Sequence, residues 1–227
     1  MPTAAPHAQR PIRETRFWQA YQERRYAILF YTLLLTLLVI PVAKTLGLPA
    51  LVPKLLIGAV LCAAVMPNAP RRTRAVFLMG IVLLVVARIA SESDSVPLNN
   101  GFVLALVGCI GLIAAGKTLE FAVRSVEVTS ETLYAALSTY LLGGMFFGQL
   151  YWSLEQITPG SLVGPDPLTE AISLYYSFVT LATLGYGDYL PRTDIARGVA
   201  TFEVIGGQLF LAVMVARLIG LFVPKED

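Results

Sequence analysis

Thr183-Leu184-Gly185-Tyr186-Gly187-Asp188 is the stretch whose reading decides the fold. Two glycines flank one aromatic, and glycine takes up backbone conformations with φ above zero as readily as those below it. The pair lets the chain alternate between conformations, which aims successive carbonyl oxygens the same way. A Gly-Tyr-Gly-Asp string also suits a tight turn, because Gly and Asp both favour turns. Its surroundings decide between the two. The string follows an apolar run that ends in threonines, and a second apolar run, interrupted by Glu203, begins shortly after it. That order is what a loop re-entering a membrane between two helices requires.

The composition agrees independently. The 227 residues are 56% hydrophobic and 14% charged, and the mean hydropathy is +0.68. That is more apolar surface than a soluble core of this length hides, so an integral membrane protein is expected. The net charge of +2 is too small for a nucleic-acid partner, and the arginines sit beside apolar runs without forming one basic face. Cys62 and Cys109 both lie inside apolar runs and read as buried thiols with no disulfide. The first 25 residues are polar and basic, so no cleavable signal peptide is expected. His7 is the sole histidine, and no Ser/His/Asp, zinc or phosphate-loop arrangement points to an enzyme.

Crossing the hydrocarbon takes roughly 20 helical residues. Residues 26–43 and 96–116 are clear spans, and 132–154 is the longest uncharged run. Two others are less clean. Residues 55–66 are short unless extended past Lys54 toward Leu46, and 75–87 must continue through Arg88, which tilt or snorkelling permits. The last span, 196–223, carries Glu203 and Arg217. Residues 171–182 are too short to cross and end in the opening motif, so they read as a half-membrane helix.

Six crossings leave both termini on one side. Arg10, Arg13, Arg16, Arg24 and Arg25 precede the first span, and Arg71, Arg72 and Arg74 lie between the second and third. The loop 91–100 holds Glu92 and Asp94 but no Lys or Arg. Both ends are therefore expected in the cytoplasm, with Asp188 outside. No period of 20–50 residues repeats. The chain divides into a polar and basic arm at 1–25, a four-helix transmembrane domain at 26–125, and a second module at 126–227. Within the arm, Phe17, Trp18 and Tyr21 among charges fit an interfacial helix or a tail with a membrane-side anchor equally well.

Residues 175–188, Tyr-Tyr-Ser-Phe-Val-Thr-Leu-Ala-Thr-Leu-Gly-Tyr-Gly-Asp, resemble the pore helix and selectivity filter of tetrameric potassium channels, in the setting of a bacterial-type six-transmembrane member. Leu184 stands where the familiar filter has Val. The resemblance implies an all-α membrane protein: a four-helix domain plus a pore module of outer helix, pore helix, filter and inner helix. It implies a homotetramer in the cell membrane, among lipids, that passes potassium ions. Thr183 would contribute hydroxyl and carbonyl, and Leu184, Gly185, Tyr186 and Gly187 carbonyls, replacing the hydration shell of the ion. The pore helix, ending near Ala182, would turn its negative dipole end toward a central cavity.

Around the filter, the resemblance assigns support to Tyr175, Tyr176, Val179, Thr180 and Asp188. The two tyrosines match an aromatic cuff, or are simply interfacial aromatics. Val179 stands where some members place an acid. Gly207, about twenty residues past Gly187, matches the hinge glycine of the inner helix, with Gly206 beside it; bending and close packing explain the pair equally. Helical phase from Gly207 puts Gln208, Leu211, Val215 and Ile219 on one stripe, read as the cavity lining. Arg217, about 200° round from Val215, should point away from that stripe and snorkel to the inner interface. Glu203, an acid well inside a span, either accepts hydrogen bonds behind the filter or sits protonated, as a structural group or a gating sensor.

The fourth span has no arginine ladder, because Lys117, Glu120 and Arg124 appear only at its inner end. Each charge crossing the field is worth about 2.3 kcal/mol per 100 mV, and several are needed for voltage gating. The four-helix domain is therefore expected to be a scaffold and not an ordinary voltage sensor. With the sequence ending at Asp227, no soluble ligand-binding domain is expected. The alternative is a non-conducting or regulatory membrane subunit that assembles through the pore module. The complete filter string disfavours it, since a silent subunit has no chemical need for Thr183 and both glycines.

Overall fold

Long apolar runs in lipid must satisfy their backbone groups internally, and helices do so. The computed structural model describes residues 24–45, 47, 55–60, 100–125 and 128–222. Its helices are α1 (Arg25–Thr45), α2 (Asn100–Arg124), α3 (Ser130–Ile157), α4 (Glu170–Leu181) and α5 (Asp194–Phe222). Residues 55–60 are helical as well. Two short strands, β1 (Leu162–Val163) and β2 (Leu190–Pro191), pair antiparallel with Leu162 opposite Pro191 and Val163 opposite Leu190. They tie the loop after α3 to the loop after the 183–188 motif.

The windows Arg25–Val42, Gly101–Arg124 and Asp194–Arg217 are long and apolar enough to cross a membrane. The protein is an all-α membrane protein. α2 runs past the expected 116 to Arg124, because its last turns are laced by ion pairs; residues 96–99 lie outside the described residues. Glu120 accepts from Lys117 Nζ at 2.9 Å and from Arg124 Nη1 at 2.8 Å, at helical spacings that stabilise an exposed turn. The arm up to residue 23, most of the 55–66 span, the whole 75–87 span and the arginines at 71–74 lie outside the described residues.

α3 is the central helix, packed on α1, α2, α4 and α5. Its Thr132, Ser138, Thr139, Gln149 and Ser153 are buried. Its neighbours are protein and not lipid, which explains why its composition is more polar than that of the three windows above. Thr129 caps it, accepting from Thr132 N at 3.3 Å. Glu131 Oε2 accepts from Tyr26 N at 2.9 Å, which joins the first turn of α3 to that of α1. Tyr26, Leu29, Leu33, Val107, Leu142, Met145 and Phe146 form the core between α1, α2 and α3.

α4 begins at the cap Thr169, whose Oγ1 accepts from Ile172 N at 3.2 Å, with Glu170 in the first turn where the helix dipole favours an acid. Gln149 Nε2 donates to Glu170 Oε1 at 2.8 Å. Two glycines of α3, one turn apart, let α4 approach. A Cβ on Gly144 would lie 2.5 Å from Phe178 Cε1, and one on Gly148 would lie 2.9 Å from Leu174 Cα.

Cys109 corrects an expectation. It is exposed, in line along α2 with the exposed Phe102, Leu106 and Ile113. In a bilayer the outer face is apolar too, so an apolar run does not tell a buried thiol from a lipid-facing one. Cys62 lies outside the described residues.

Candidate functional site

α4 stops at Leu181, and the loop that follows is pinned to the last carbonyls of the helix, which have no intrahelical partner. Ala182 N donates to Phe178 O at 3.0 Å, Thr183 N to Thr180 O at 2.9 Å, and Leu184 N and Gly185 N both to Val179 O at 2.9 and 3.4 Å. From there every second residue is left-handed: φ is +56° at Thr183, +55° at Gly185 and +78° at Gly187. Glycine takes such angles freely. Thr183 does not, at about 1–2 kcal/mol, and among the described residues it is the sole non-glycine with positive φ. Its hydrogen bond to Thr180 holds it there.

The side chains around the loop fall into two groups. Tyr175 OH donates to Asp188 Oδ2 at 2.9 Å, and its ring stacks on Tyr186 with centroids 6.4 Å apart and planes 15° apart. Tyr176 is buried, edge-on to Tyr151 at 4.8 Å and 85°, in a cluster with Phe147, Leu162 and Tyr189. Val179 is buried, while Leu184 and Tyr186 are 57% and 66% exposed on the single chain. The loop thus has one face held by its own chain and one face bare.

On α5, Glu203 is fully buried. Tyr151 OH donates to its Oε2 at 2.7 Å, and Ser177 Oγ lies 2.5 Å from its Oε1 and 2.7 Å from Gly144 O. Gly207 is buried against Leu181, whereas nothing stands within 4 Å of a Cβ built on Gly206. α5 runs unbroken through both. Gln208 is exposed. Leu211 and Val215 are exposed too, and border an apolar groove shared with Phe30, Leu34, Leu133 and Leu137. The side chain of Ile219 lies outside the described residues.

Arg217 departs from the snorkelling expectation. It is half-buried, and its Nη2 donates to the carbonyl of Ser125, just past the end of α2. Carbonyls at a helix end lack an intrahelical donor, and that acceptor draws the guanidinium into the protein.

The sequence reading missed Tyr151 and Ser177, whose hydroxyls are buried polar groups in apolar runs. It also missed Glu155, whose Oε1 accepts from Gly160 N at 2.8 Å and Oε2 from Ser161 N at 3.0 Å, bracing the loop into β1. A buried polar group signals that a partner exists; which residue that is comes only from the packing. Among the described residues no group of His, Cys, Asp and Glu is arranged to hold a metal ion.

Residues 121–223 match a family model for ion channels. The matched stretch runs from the last turn of α2 through α3, α4, the 183–188 loop and α5. The chain is also 31% identical over 88 residues to the voltage-gated potassium channel regulatory subunit KCNF1 of Rattus norvegicus, Mus musculus and Homo sapiens, covering 38% of this chain and 17% of each relative. The chain thus spans about a sixth of the length of the curated relatives it matches, at 17%. No solved structure matches it significantly. These likenesses are to ion-channel proteins and not to enzymes.

Proposed function

We propose that the chain is the subunit of a potassium-selective channel that passes the ion down its gradient. The observation that carries the reading is the alternation of backbone hand at Thr183, Gly185 and Gly187 on a loop held from behind by Val179 O and the Tyr175–Asp188 bond. Alternate hands turn successive carbonyls to one side, and the chain fills only the other side. Carbonyls from one loop cannot surround an ion, so copies must close around an axis, as cyclic assemblies do. Four copies, the homotetramer that the resemblance implies, would place Thr183 to Gly187 around the ion. α5 supports assembly: only 17% of its membrane-length window is buried on the single chain, against 44% for α2.

In that assembly the C-terminal end of α4 faces the inner cavity with its partial negative charge, which favours a hydrated cation there. Gln208, Leu211, Val215 and Ile219 would line the cavity. Residues 126–227 are the pore module and 26–125 a scaffold, with both termini cytoplasmic and Asp188 outside.

The test is flux into liposomes holding the purified chain alone. Potassium and rubidium should pass far better than sodium, and barium should block. Equal sodium and potassium permeability rejects the selective filter. A second reading is favoured by the name of the KCNF1 relatives, regulatory subunits: the chain would assemble with a conducting partner. Absence of flux from the chain alone, with altered currents when it is co-reconstituted with a conducting subunit, would decide for that reading.

A further inference from the structure

We propose that Glu203 carries its carboxyl hydrogen and, as a neutral donor and acceptor, positions the filter by tying α4 to both α3 and α5. The inference rests on the conducting reading for its effect on ion selection, but its geometry stands by itself. Three short oxygen–oxygen contacts meet at this point: Tyr151 OH to Glu203 Oε2 at 2.7 Å, Ser177 Oγ to Glu203 Oε1 at 2.5 Å, and Ser177 Oγ to Gly144 O at 2.7 Å. Oxygens this close repel unless a hydrogen lies between them. Tyr151 and Ser177 supply one hydrogen each, and the Gly144 carbonyl supplies none. Three contacts need three hydrogens, and the third can sit only on the carboxyl.

The chain of donors then runs one way. Glu203 Oε1–H donates to Ser177 Oγ, Ser177 Oγ–H donates to Gly144 O, and Tyr151 O–H donates to Glu203 Oε2. Every hydrogen is used once. An ionised carboxylate in the same place would leave one contact bare, and among the described residues no Lys or Arg pairs with it. A buried charge without a partner is far costlier than a buried neutral acid. Tyr140 and Tyr176 are the further titratable groups that face it, from α3 and α4.

The consequence reaches the filter along α4. Ser177 lies two residues before Val179, whose carbonyl receives Leu184 N and Gly185 N. Glu203 lies one turn before Gly207, which touches Leu181. The inner helix therefore grips the pore helix at two points one turn apart, a polar one at Ser177 and a steric one at Leu181. Glu203 is a positioning residue: it acts on the ion only through α4 and the loop.

The experiment compares the full-length wild type with Glu203→Gln, Glu203→Leu and Ser177→Ala in liposomes, reading the potassium-to-sodium permeability ratio. The infrared difference spectrum between wild type and Glu203→Gln at neutral pH is read alongside. A glutamine amide donates to Ser177 and accepts from Tyr151, so Glu203→Gln should keep the ratio within about twofold, whereas Glu203→Leu and Ser177→Ala should lower it about tenfold, as loss of a buried hydrogen bond does. The difference spectrum should show the carbonyl stretch of a protonated carboxylic acid. Carboxylate bands in its place overturn the proposal, and so does an unchanged ratio in both Glu203→Leu and Ser177→Ala. If Glu203→Leu does not assemble, the spectrum and Glu203→Gln still decide. Wild type without potassium flux rejects the conducting reading, and the spectrum alone then decides the state of Glu203.

Discussion

Gly207 lies so close to Leu181 that a Cβ on it would stand 2.7 Å from Leu181 Cδ1 and 3.0 Å from Leu181 O. The contact joins the middle of α5 to the last residue of α4, immediately before the loop that carries Thr183. A methyl group there must push either a flexible side chain or a backbone carbonyl, and overpacking of this kind costs about 1–3 kcal/mol. Gly207→Ala should therefore lower the thermal stability of the assembled protein and reduce potassium flux. Leu181→Ala should rescue it partly, relieving the Cδ1 clash but not the carbonyl one. Gly206→Ala meets nothing and should be neutral or gain up to about 1 kcal/mol of helix propensity. Equal damage from the two alanines would instead favour bending at the pair over packing.

Tyr175 and Asp188 predict a separable defect at the end of the loop. Their bond, 2.9 Å long, spans from α4 to the residue after Gly187, and so closes the loop on its own helix. Tyr175→Phe keeps the ring that stacks on Tyr186 and removes only the donor. Folding and assembly should be unchanged, while potassium flux should decay faster during recording and sodium leak should rise. Asp188→Asn keeps an acceptor oxygen and should be milder. Identical selectivity and decay in Tyr175→Phe and wild type would show that the bond does not hold the loop.

The charges at the C-terminal end of α2 predict an absence of effect. Glu120 pairs with both Lys117 and Arg124, all three on exposed helix surface. Surface pairs of this kind are worth little and screened by salt. Lys117→Gln and Arg124→Gln, singly and together, should leave the voltage dependence of conduction where it was. Loss of a gating charge of several elementary charges in the double variant would show that this end of α2 senses voltage.

What was readable in the sequence was what neighbours along the chain decide. The short helix read at 171–182 matches α4 to within about one residue at each end, and the glycines at 185 and 187 take left-handed angles, both from local residue types. The ends of α1 and α5 fall within about two residues of the apolar runs that define them. Across-chain relations were not readable. Glu203 was visible as an acid in a span, but Ser177 and Tyr151, 26 and 52 positions away, were not visible as its partners. Cys109 was misread because hydropathy does not separate core from lipid-facing surface. Helical phase oriented Arg217 relative to its own helix, yet said nothing of the helix end that waits there.

Arg217 and Ser125 are 92 positions apart, and their hydrogen bond joins the C-terminal part of α5 to the residue just past α2. The guanidinium is half-buried beside Leu137, Met214 and Val215, and its Nε makes no hydrogen bond in the described chain. Arg217→Met fills the same apolar groove with a stem of similar length but no donor. A hydrogen bond from a charged donor is worth about 1.5–3 kcal/mol, so the last turn of α2 should open at least about tenfold more often. Hydrogen exchange at Ser125 N, which bonds Phe121 O at 3.2 Å, reads that opening directly. Open probability should shift in the same variant while the potassium-to-sodium ratio stays unchanged, because the link lies far from Thr183. Arg217→Lys, with a donor head on a shorter reach, should restore only part of the protection. Unchanged exchange at Ser125 in Arg217→Met would mean that the two regions are held together elsewhere.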